Sequence, residues 1–327
     1  MARTSTVRAS EPPLCASAVV DVRSVPPGDW PRALELLFAA FPETERAERI
    51  ASTLQSVAAG RLSLEGLTWG WCGTTPVAAA LTMTQPDGIA LVWPPTMPAE
   101  TPHAEQIAET LLQELTRRLD AAGVRLSQVL VDALDDQELQ RLQKHGYSQQ
   151  TELFFLGRSL RDPIPERPAE GAPRPVTLSA CGDRPRFAAV LEATYIGTRD
   201  CPWLEGVRTG AAALDCHQQT GTYNPDWWRI FTLGGRDCAI CLLADHPEQD
   251  AVEVVYFGVV PEFRGRGLGR WLVIDALHRG AEQGRAALFL AVDAENRYAS
   301  AIYSELAFVE LARRRALFRP QWGLARE

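Results

Sequence analysis

Glycine and arginine residues alternate in one short stretch between an apolar run and a helical pattern. The run Val252 to Pro261 has the composition of a strand, and Trp271 to Glu282 shows apolar residues at helical spacing. Between them the chain reads Arg264-Gly265-Arg266-Gly267-Leu268-Gly269. Glycines let a ligand approach the backbone, and the first N–H groups of a helix have no partner within the helix. The sequence therefore predicts an anion site suited to a pyrophosphate.

A second motif follows the next predicted strand, Ala286 to Val292, and reads Asn296-x-x-Ala299-x-x-Ile302-Tyr303. Together with Val259-x-Pro261-x-x-Arg264-Gly265-x-Gly267-x-Gly269, it resembles the GNAT superfamily of acyl-CoA-dependent N-acetyltransferases. The resemblance implies a mixed sheet that splays between its fourth and fifth strands, with the pantetheine arm of acetyl-CoA in the gap. One departure is Ala307, since the family usually has glycine before the phenylalanine.

The resemblance also implies a role for each matched position. Tyr303 would be the general acid that protonates the leaving thiolate, although transfer from a phenol to a thiol is uphill by about 2 kcal/mol. Glu253 lies outside both motifs, but the reaction also needs a base, and this carboxylate of the fourth strand is expected to take the proton of the amine, through water. The cofactor-binding residues would be Val259, Val260, Phe263, Arg264, Gly265, Arg266, Gly267, Leu268, Gly269 and Asn296.

The acceptor is expected to contact the segment between the first two helices of the second half, Tyr195 to Gly206. Its Asp200, Trp203 and Glu205 combine carboxylate charge with an aromatic face, which favours a cationic acceptor. Tyr256, nearer the centre of the fourth strand, is a competing group for holding water or the acceptor. An ordered, solvated loop with one anchoring tryptophan explains the same residues equally well.

Composition and sequence pattern argue against several other kinds of protein and of binding site. The net charge of −8 argues against a general nucleic-acid binder, and no apolar window is long enough for a membrane span. Without a signal-peptide layout, we expect a cytoplasmic protein. Because the seven cysteines are odd in number and spread along the chain, we expect them to be reduced thiols. Cys238 and Cys241 fall on opposite faces of a strand-like run, so we expect core packing there and no metal site.

The length of 327 residues favours two domains. Five prolines between Arg161 and Pro175 predict a linker, and the elements on its two sides come in one order, each half ending in a strand pair. An offset of 161 residues aligns Gly123 with Gly284 and Ala133 with Ala294. We therefore predict an α/β (α+β) chain of two tandem GNAT-like domains, each with a mixed, largely antiparallel splayed sheet flanked by helices. The domains are 1–160 and 176–327, joined by 161–175.

The first domain is expected to be a degenerate, noncatalytic copy that packs against the second or shapes its acceptor cleft. The same offset puts the loop Arg264 to Gly269 on His103 to Ala108, which contains no glycine, and puts Tyr303 on Leu142. A tandem layout with an active second domain is similar to the mycothiol synthases. Their fourth strand begins Glu-x-Tyr where this one begins Glu-x-x-Tyr, so the resemblance is used for architecture and not for the acceptor.

The two motifs and the resemblance that they carry predict an acetyl-CoA-dependent N-acetyltransferase that acts by direct attack in a ternary complex. The acceptor would be a small-molecule or peptide amine, with no nucleic-acid or membrane partner. One alternative is a noncatalytic acyl-CoA sensor or protein-interaction pseudoenzyme. A nucleotide-dependent oxidoreductase is disfavoured, because its fingerprint needs Gly-x-Gly-x-x-Gly and leaves the second motif without a role.

Overall fold

The computed structural model describes residues 20–132, 135–202 and 206–321. They form two compact units, residues 20–83 with 92–118, and residues 84–91 with 119–321, whose limits differ from the predicted boundaries at 160 and 176. Each unit is described by itself. Within the described ranges, no helix is both long and apolar enough to cross a membrane.

The first unit is built on an antiparallel meander of three strands, in the order β1-β2-β3. Leu34, Leu67 and Trp69 form part of a buried core beneath its first two helices. Strand β4 (Ile89–Thr96) is divided between the units. The other elements are β1 (Val20–Ser24), α1 (Trp30–Leu37), α2 (Glu43–Ala58), β2 (Leu67–Cys72), β3 (Thr75–Thr84) and α3 (Ala104–Ala121), of which Thr84 and residues 119–121 belong to the second unit.

The second unit contains a mixed, mostly antiparallel sheet in the order β5-β12-β6-β11-β10-β9-β8-β7, in which only β10 and β11 pair in parallel. One core packs α8 and α9 on one face, and another packs α6 and α7 on the opposite face. Its elements are β5 (Leu126–Asp132), α4 (Asp136–Lys144), β6 (Gln149–Ser159), β7 (Arg174–Thr177), α5 (Leu178–Cys181), α6 (Arg184–Tyr195), α7 (Gly210–His217), β8 (Trp228–Leu233), β9 (Arg236–His246), β10 (Ala251–Val259), α8 (Leu268–Glu282), β11 (Ala287–Asp293), α9 (Arg297–Glu305) and β12 (Val309–Pro320).

The last strand of each predicted half is exchanged with the other half. β6 lies between β11 and β12, and β12 lies between β5 and β6. Each half was expected to end in a strand pair of its own, and the structure instead has one long closing strand from each half. The exchange satisfies the backbone groups that a missing second strand would leave unpaired.

The offset of 161 residues holds for the elements around this exchange. Adding 161 to the residue numbers that bound β5 gives the bounds of β11, and adding 161 to those of α4 gives the bounds of α9. The caps correspond too, because Asp135 and Asn296 each accept a hydrogen bond from the backbone N–H three residues later. The helices end alike, with Gly146 at φ 89° and Ala307 at φ 61°. Local sequence thus determines the same helix in both halves.

The proline-rich linker lies along α8. Trp271 donates its indole N–H to the Pro168 carbonyl at 3.1 Å, and Arg167 donates to Asp275 at 3.0 Å. These contacts fix the segment against the helix, although the composition predicted only a connection.

The cysteine predictions have two outcomes. Cys238 and Cys241 are free thiols, 0% and 1% exposed, which confirms the core packing expected for them. Cys72 is disulfide-bonded, so the expectation of reduced thiols is wrong at that position. An odd number of cysteines leaves room for a pair, and the count alone therefore could not exclude one.

Candidate active site

The parallel strands β10 and β11 are paired over only three residues. Their ladder ends at Glu253 and Phe289, whereas β10 continues to Val259 and β11 to Asp293. The two strands therefore diverge toward their carboxyl ends, as the resemblance implied. The result is a gap in the sheet that opens beside the start of α8.

The backbone of β10 directs hydrogen-bonding groups into this gap. The register against β9 shifts just before Tyr256, and beyond this bulge Val260 donates its N–H to the Cys238 carbonyl at 2.9 Å. Since N–H groups alternate in direction along a strand, those of Phe257 and Val259 point away from β9, toward the gap. These two groups are suited to a carbonyl oxygen bound between the strands.

The glycine loop leaves the first turn of α8 without a side-chain cap. Gly265 and Gly267 have φ values of 73° and 77°, a left-handed conformation in which glycine alone avoids a steric penalty. A Cβ at either position would meet no atom within 4 Å, so both face open space. Gly267 is the N-cap residue and makes no capping hydrogen bond, which leaves the first N–H groups of α8 available to an anion.

Arg264 holds the loop in place through three carbonyl groups. Its guanidinium donates to Val259 at 3.0 Å, to Gly197 at 3.1 Å and to Thr194 at 2.9 Å. The side chain thus connects the end of β10 to the end of α6 and the start of the acceptor segment. This contribution is positional, and only the backbone of Arg264 remains for a phosphate.

Two guanidinium groups lie against the ring of Phe263. The side chain of Phe263 is 6% exposed, and Arg236 and Arg266 lie 5.1 and 5.5 Å from its centroid. Leu268 is likewise in the core at 6%. Sequence reasoning missed Arg236, because this residue begins β9 and lies far from the loop in the sequence. Cationic groups beside an uncapped helix start strengthen the site for an anion.

The second motif packs against the glycine loop. A Cβ at Gly269 would lie 3.3 Å from the Ile302 side chain, so α9 lies close to the first turn of α8. Asn296 caps α9, because its side-chain oxygen accepts the Ala299 N–H at 3.3 Å. The structure therefore brings both motifs to one end of the gap, and the side-chain amide of Asn296 keeps its N–H groups as donors.

Tyr303 lies deep within the same region. It is 3% exposed, and its ring makes an edge contact with Phe257 at 6.3 Å and a tilted contact with Phe308 at 5.3 Å. No residue in the described ranges hydrogen-bonds to its hydroxyl. Burial raises the pKa of Tyr303 well above its usual value, and the nearby charge of Asp200 raises it further. The phenol is therefore held in its protonated form, as a proton donor must be.

Glu253 occupies the last paired position before the gap. Its carboxylate lies 2.8 Å from Nε2 of His246, the last residue of β9. The ring of His246 is tilted against Phe289, with centroids 5.1 Å apart. The local sequence around His246 gives no sign of this contact, because the partner lies on the neighbouring strand.

Tyr256 belongs to the face of the sheet that α6 and α7 cover. Its hydroxyl is 2.7 Å from Oγ1 of Thr194, and His217 stacks on its ring at 5.6 Å. Burial raises the pKa of Tyr256 and lowers that of His217 to about 3, with a smaller effect from Arg208 on the histidine. His217 is therefore neutral near pH 7, and its buried Nε2 has no partner in the described part of the chain.

The acceptor segment is anchored to the end of β11. Asp293 accepts hydrogen bonds from the Cys201 N–H at 3.1 Å and the Thr151 hydroxyl at 2.6 Å, and it donates its own N–H to Asp200 at 2.9 Å. Asp200, Cys201 and Asp293 each have an atom that could bind a metal ion, and these atoms lie within 4.8 Å of one another. The two carboxylates, however, already accept the hydrogen bonds just described. Asp200 thus anchors the loop. Trp203 and Glu205 lie outside the described residues.

A buried ion pair joins Arg208, two residues beyond the acceptor segment, to the turn before β4. Arg208 contacts Asp87 at 3.3 Å, and its guanidinium lies 5.3 Å from the centroid of Tyr195. Asp87 also accepts the Ile89 N–H at 3.0 Å, which fixes the turn. Residues of the predicted first half therefore support the acceptor segment of the second. Beside them a surface groove is lined by Ala189, Glu192, Ala193, Tyr195, Ile196, Gly206 and Arg208.

Known proteins resemble this chain in sequence at the site just described. Residues 221–308 match the model of the Acetyltransferase (GNAT) family. Among curated relatives, a "Mycothiol acetyltransferase" of Thermobifida fusca is 43% identical over 170 residues, 44% of this chain and 51% of the relative. Another of the same name from Nocardioides is 27% identical over 186 residues, 50% of this chain and 59% of the relative. The chain thus spans little more than half the length of these relatives.

Solved structures resemble the chain over most of its length. A GCN5-related N-acetyltransferase from Sphaerobacter thermophilus has a TM-score of 0.65 at 19% identity and covers 92% of this chain and 95% of its own. A glucosamine N-acetyltransferase region of a fungal β-N-acetylglucosaminidase has a TM-score of 0.64 at 14% identity, covering 93% of this chain and 38% of its own. At these identities the likeness shows the fold alone.

Proposed function

Because the chain contains a GNAT acetyltransferase domain, we propose that it transfers an acetyl group from acetyl-CoA to an amine by direct attack in a ternary complex. The observation that carries the proposal is the gap between β10 and β11. It opens beside the uncapped start of α8, and Phe257, which contacts Tyr303, belongs to the diverged part of β10. Both donor and acceptor would meet in this gap.

The donor would bind with its pyrophosphate on the glycine loop. The residues fit such a group, because Gly265 and Gly267 face open space and the first N–H groups of α8 lack a cap. Arg266 and Arg236 would add positive charge, and Asn296 would donate from its amide. The N–H of Val259 would face the acyl-pantetheine, since the Val259 carbonyl already accepts from Arg264. The main-chain groups of Val260 are already bonded within the chain, to the Cys238 carbonyl and the Phe263 N–H.

Four groups of this chain would carry the chemistry. Acetyl-CoA supplies the acetyl group as a thioester when it is bound. The N–H groups of Phe257 and Val259 would stabilise the charge that develops on the carbonyl oxygen as the bond from nitrogen to carbon forms. Glu253 would take the proton of the amine, directly or through water, and Tyr303 would donate a proton to sulfur as the carbon–sulfur bond breaks.

Burial affects both partners of the last proton transfer. Desolvation raises the pKa of the Tyr303 phenol, and it acts in the same direction on a thiol in the same gap. Between an ordinary phenol and an ordinary thiol the step is uphill by about 2 kcal/mol, and the raised pKa of Tyr303 adds to this cost to the extent that the thiol is less buried than the phenol. Such a cost is small beside the barrier of the reaction, so Tyr303 is suited to the role.

The acceptor is proposed to be a small-molecule amine. The name of the curated relatives makes the acceptor of mycothiol acetyltransferases the first compound to test. A cationic acceptor has less support than the sequence suggested, since Asp200 anchors its loop and Glu192, in the adjoining groove, accepts the Gly210 N–H at 2.9 Å. Tyr256, on the face of the sheet that α6 and α7 cover, is the better candidate for contact with the acceptor.

The first half is proposed to be a noncatalytic copy that shapes the acceptor side. Its support is the ion pair between Asp87 and Arg208, together with the glycine-free segment before α3. The tandem division at 161–175, a cytoplasmic location, and independence from metal, nucleic acid and membrane remain parts of the same proposal.

The test is release of free thiol from acetyl-CoA by the full chain with a panel of amines. The panel contains the mycothiol acetyltransferase acceptor, small amines, aminoglycosides and peptides. Amine-dependent release, with the acetylated amine identified by mass spectrometry, is the expected result. Binding of acetyl-CoA without release for any amine would instead support the alternative of a noncatalytic sensor or pseudoenzyme.

A further inference from the structure

We propose that His246 is a positioning residue that holds Glu253 by one carboxylate oxygen and leaves the other for the amine or its bridging water. The inference deepens the proposed function and rests on it. It starts from the 2.8 Å contact between Nε2 of His246 and Oε2 of Glu253. An imidazole N–H that donates to a carboxylate restricts the rotation of that carboxylate and holds it in one orientation.

Besides its contact with Glu253, the His246 ring is held on two sides. Phe289 lies against it at 5.1 Å, and Phe289 is the residue paired with Glu253 where β10 and β11 begin to diverge. On another side, a Cβ at Gly221 would lie 2.8 Å from Nε2, so only glycine lets that segment pass. The side chain of His246 is 19% exposed. Its position therefore fixes the carboxylate at the inner end of the gap.

Neighbouring charges do not compete for His246. Asp245, the preceding residue, forms two hydrogen bonds of 2.7 Å with Arg285, which also lies 3.9 Å from Asp250. Glu248, in the turn that follows, is exposed. Among the described residues, Glu253 is the carboxylate that hydrogen-bonds to His246. The imidazole thus acts on the proposed base alone.

The experiment is a double-mutant cycle on the full chain with acetyl-CoA and an amine from the panel that supports turnover. His246→Ala is expected to lower kcat about tenfold or more with little change in acetyl-CoA affinity. In a Glu253→Gln background, the same change is expected to have less than about a twofold effect, because the group through which it acts is gone. His246→Gln, which retains an N–H donor, should recover part of the loss and covers the case in which the alanine variant folds poorly.

His278→Ala is the matched control, since this histidine also bonds through Nε2, at 2.9 Å to the Pro165 carbonyl, but lies against the linker. It should leave turnover unchanged. Full activity of His246→Ala, or an equal loss in both backgrounds, would overturn the role of His246 while an active parent upholds the proposed function. A parent that turns over no amine would overturn both.

Discussion

Two loops in corresponding places of the repeat differ in the residue that comes just before the following helix. After β10, Gly267 precedes α8 with φ 77°, and after β4, His103 precedes α3 with φ 57°. Both backbones are left-handed, yet only the first has glycine. α3 also begins three residues earlier than the offset of 161 predicts, so His103 corresponds to Gly267 and the predicted match of His103 with Arg264 is wrong.

The comparison separates what maintains a fold from what maintains a site. Helix ends, caps and strand bounds correspond between β5 and β11 and between α4 and α9, because each is determined by a few local residues. The glycines of the loop and the hydroxyl of Tyr303 have no such counterpart, since Leu142 occupies the corresponding position. A packed repeat can therefore keep its architecture after its anion site is lost.

The largest expected effect comes from Tyr303→Phe, which keeps the ring and removes the hydroxyl. Loss of a general acid typically lowers turnover about 100-fold, whereas acetyl-CoA affinity and stability should change little. Single-turnover and steady-state rates should both be measured. Tyr147→Phe is the control from the first half, because it removes a buried hydroxyl that bonds to Ser127 at 3.1 Å. Equal rates for parent and Tyr303→Phe in both assays would contradict the role of Tyr303 as general acid and leave it only a role in packing.

The next effect concerns the glycine loop. Gly267→Val places side-chain atoms where a phosphate would approach, so acetyl-CoA affinity should fall tenfold or more, about 1.4 kcal/mol. Gly284→Val is the matched control: its φ of 73° gives similar strain, and it too faces open space. Calorimetry should show this loss only for Gly267→Val.

Calorimetry also tests the first half. The parent should bind one acetyl-CoA per chain, and His103→Gly should not create a second site, because the neighbouring glycines are still missing. Two equivalent sites in the parent would show that the segment before α3 retains donor binding.

The stability of the sheet face that contains His217 is expected to depend on pH. The pKa of His217 is lowered to about 3 by burial, against about 6.5 in an unfolded chain. Unfolding therefore takes up a proton between these values, and the folded state loses up to about 1.4 kcal/mol per pH unit as pH falls through that window. Urea denaturation of the parent and His217→Asn at several pH values isolates this contribution. Parallel stability curves for the two proteins would contradict it.

The smallest effect lies at the two helix ends. Ala307 adopts φ 61°, which costs a residue with a Cβ about 1 kcal/mol, so Ala307→Gly should raise the free energy of unfolding by about 0.5–1 kcal/mol. Gly146→Ala, the reverse change in the first half, should lower it by more, because the new Cβ would lie 3.3 Å from the Arg319 side chain. A loss of stability in Ala307→Gly would contradict this account.

Local patterns predicted the parts of the site that lie close together in the sequence. The loop before α8 and the capped helix of Asn296 and Tyr303 are of this kind, and the gap in the sheet was expected from the family resemblance that these two motifs carry. The partners of Arg264 and the contact between His246 and Glu253 could not be predicted in the same way. Each depends on pairing between strands or on a helix end brought near by the fold, which a single sequence does not show.

The exchange of β6 and β12 has a consequence for synthesis on the ribosome. Leu317 pairs with Gln150 in β6 and with Val129 in β5, so the centre of the sheet joins segments more than 150 residues apart. β12 is also translated after both of its neighbours. The edges of β5 and β6 that face it therefore stay unpaired until the second half has been synthesised, and these two strands of the first half cannot finish folding before then.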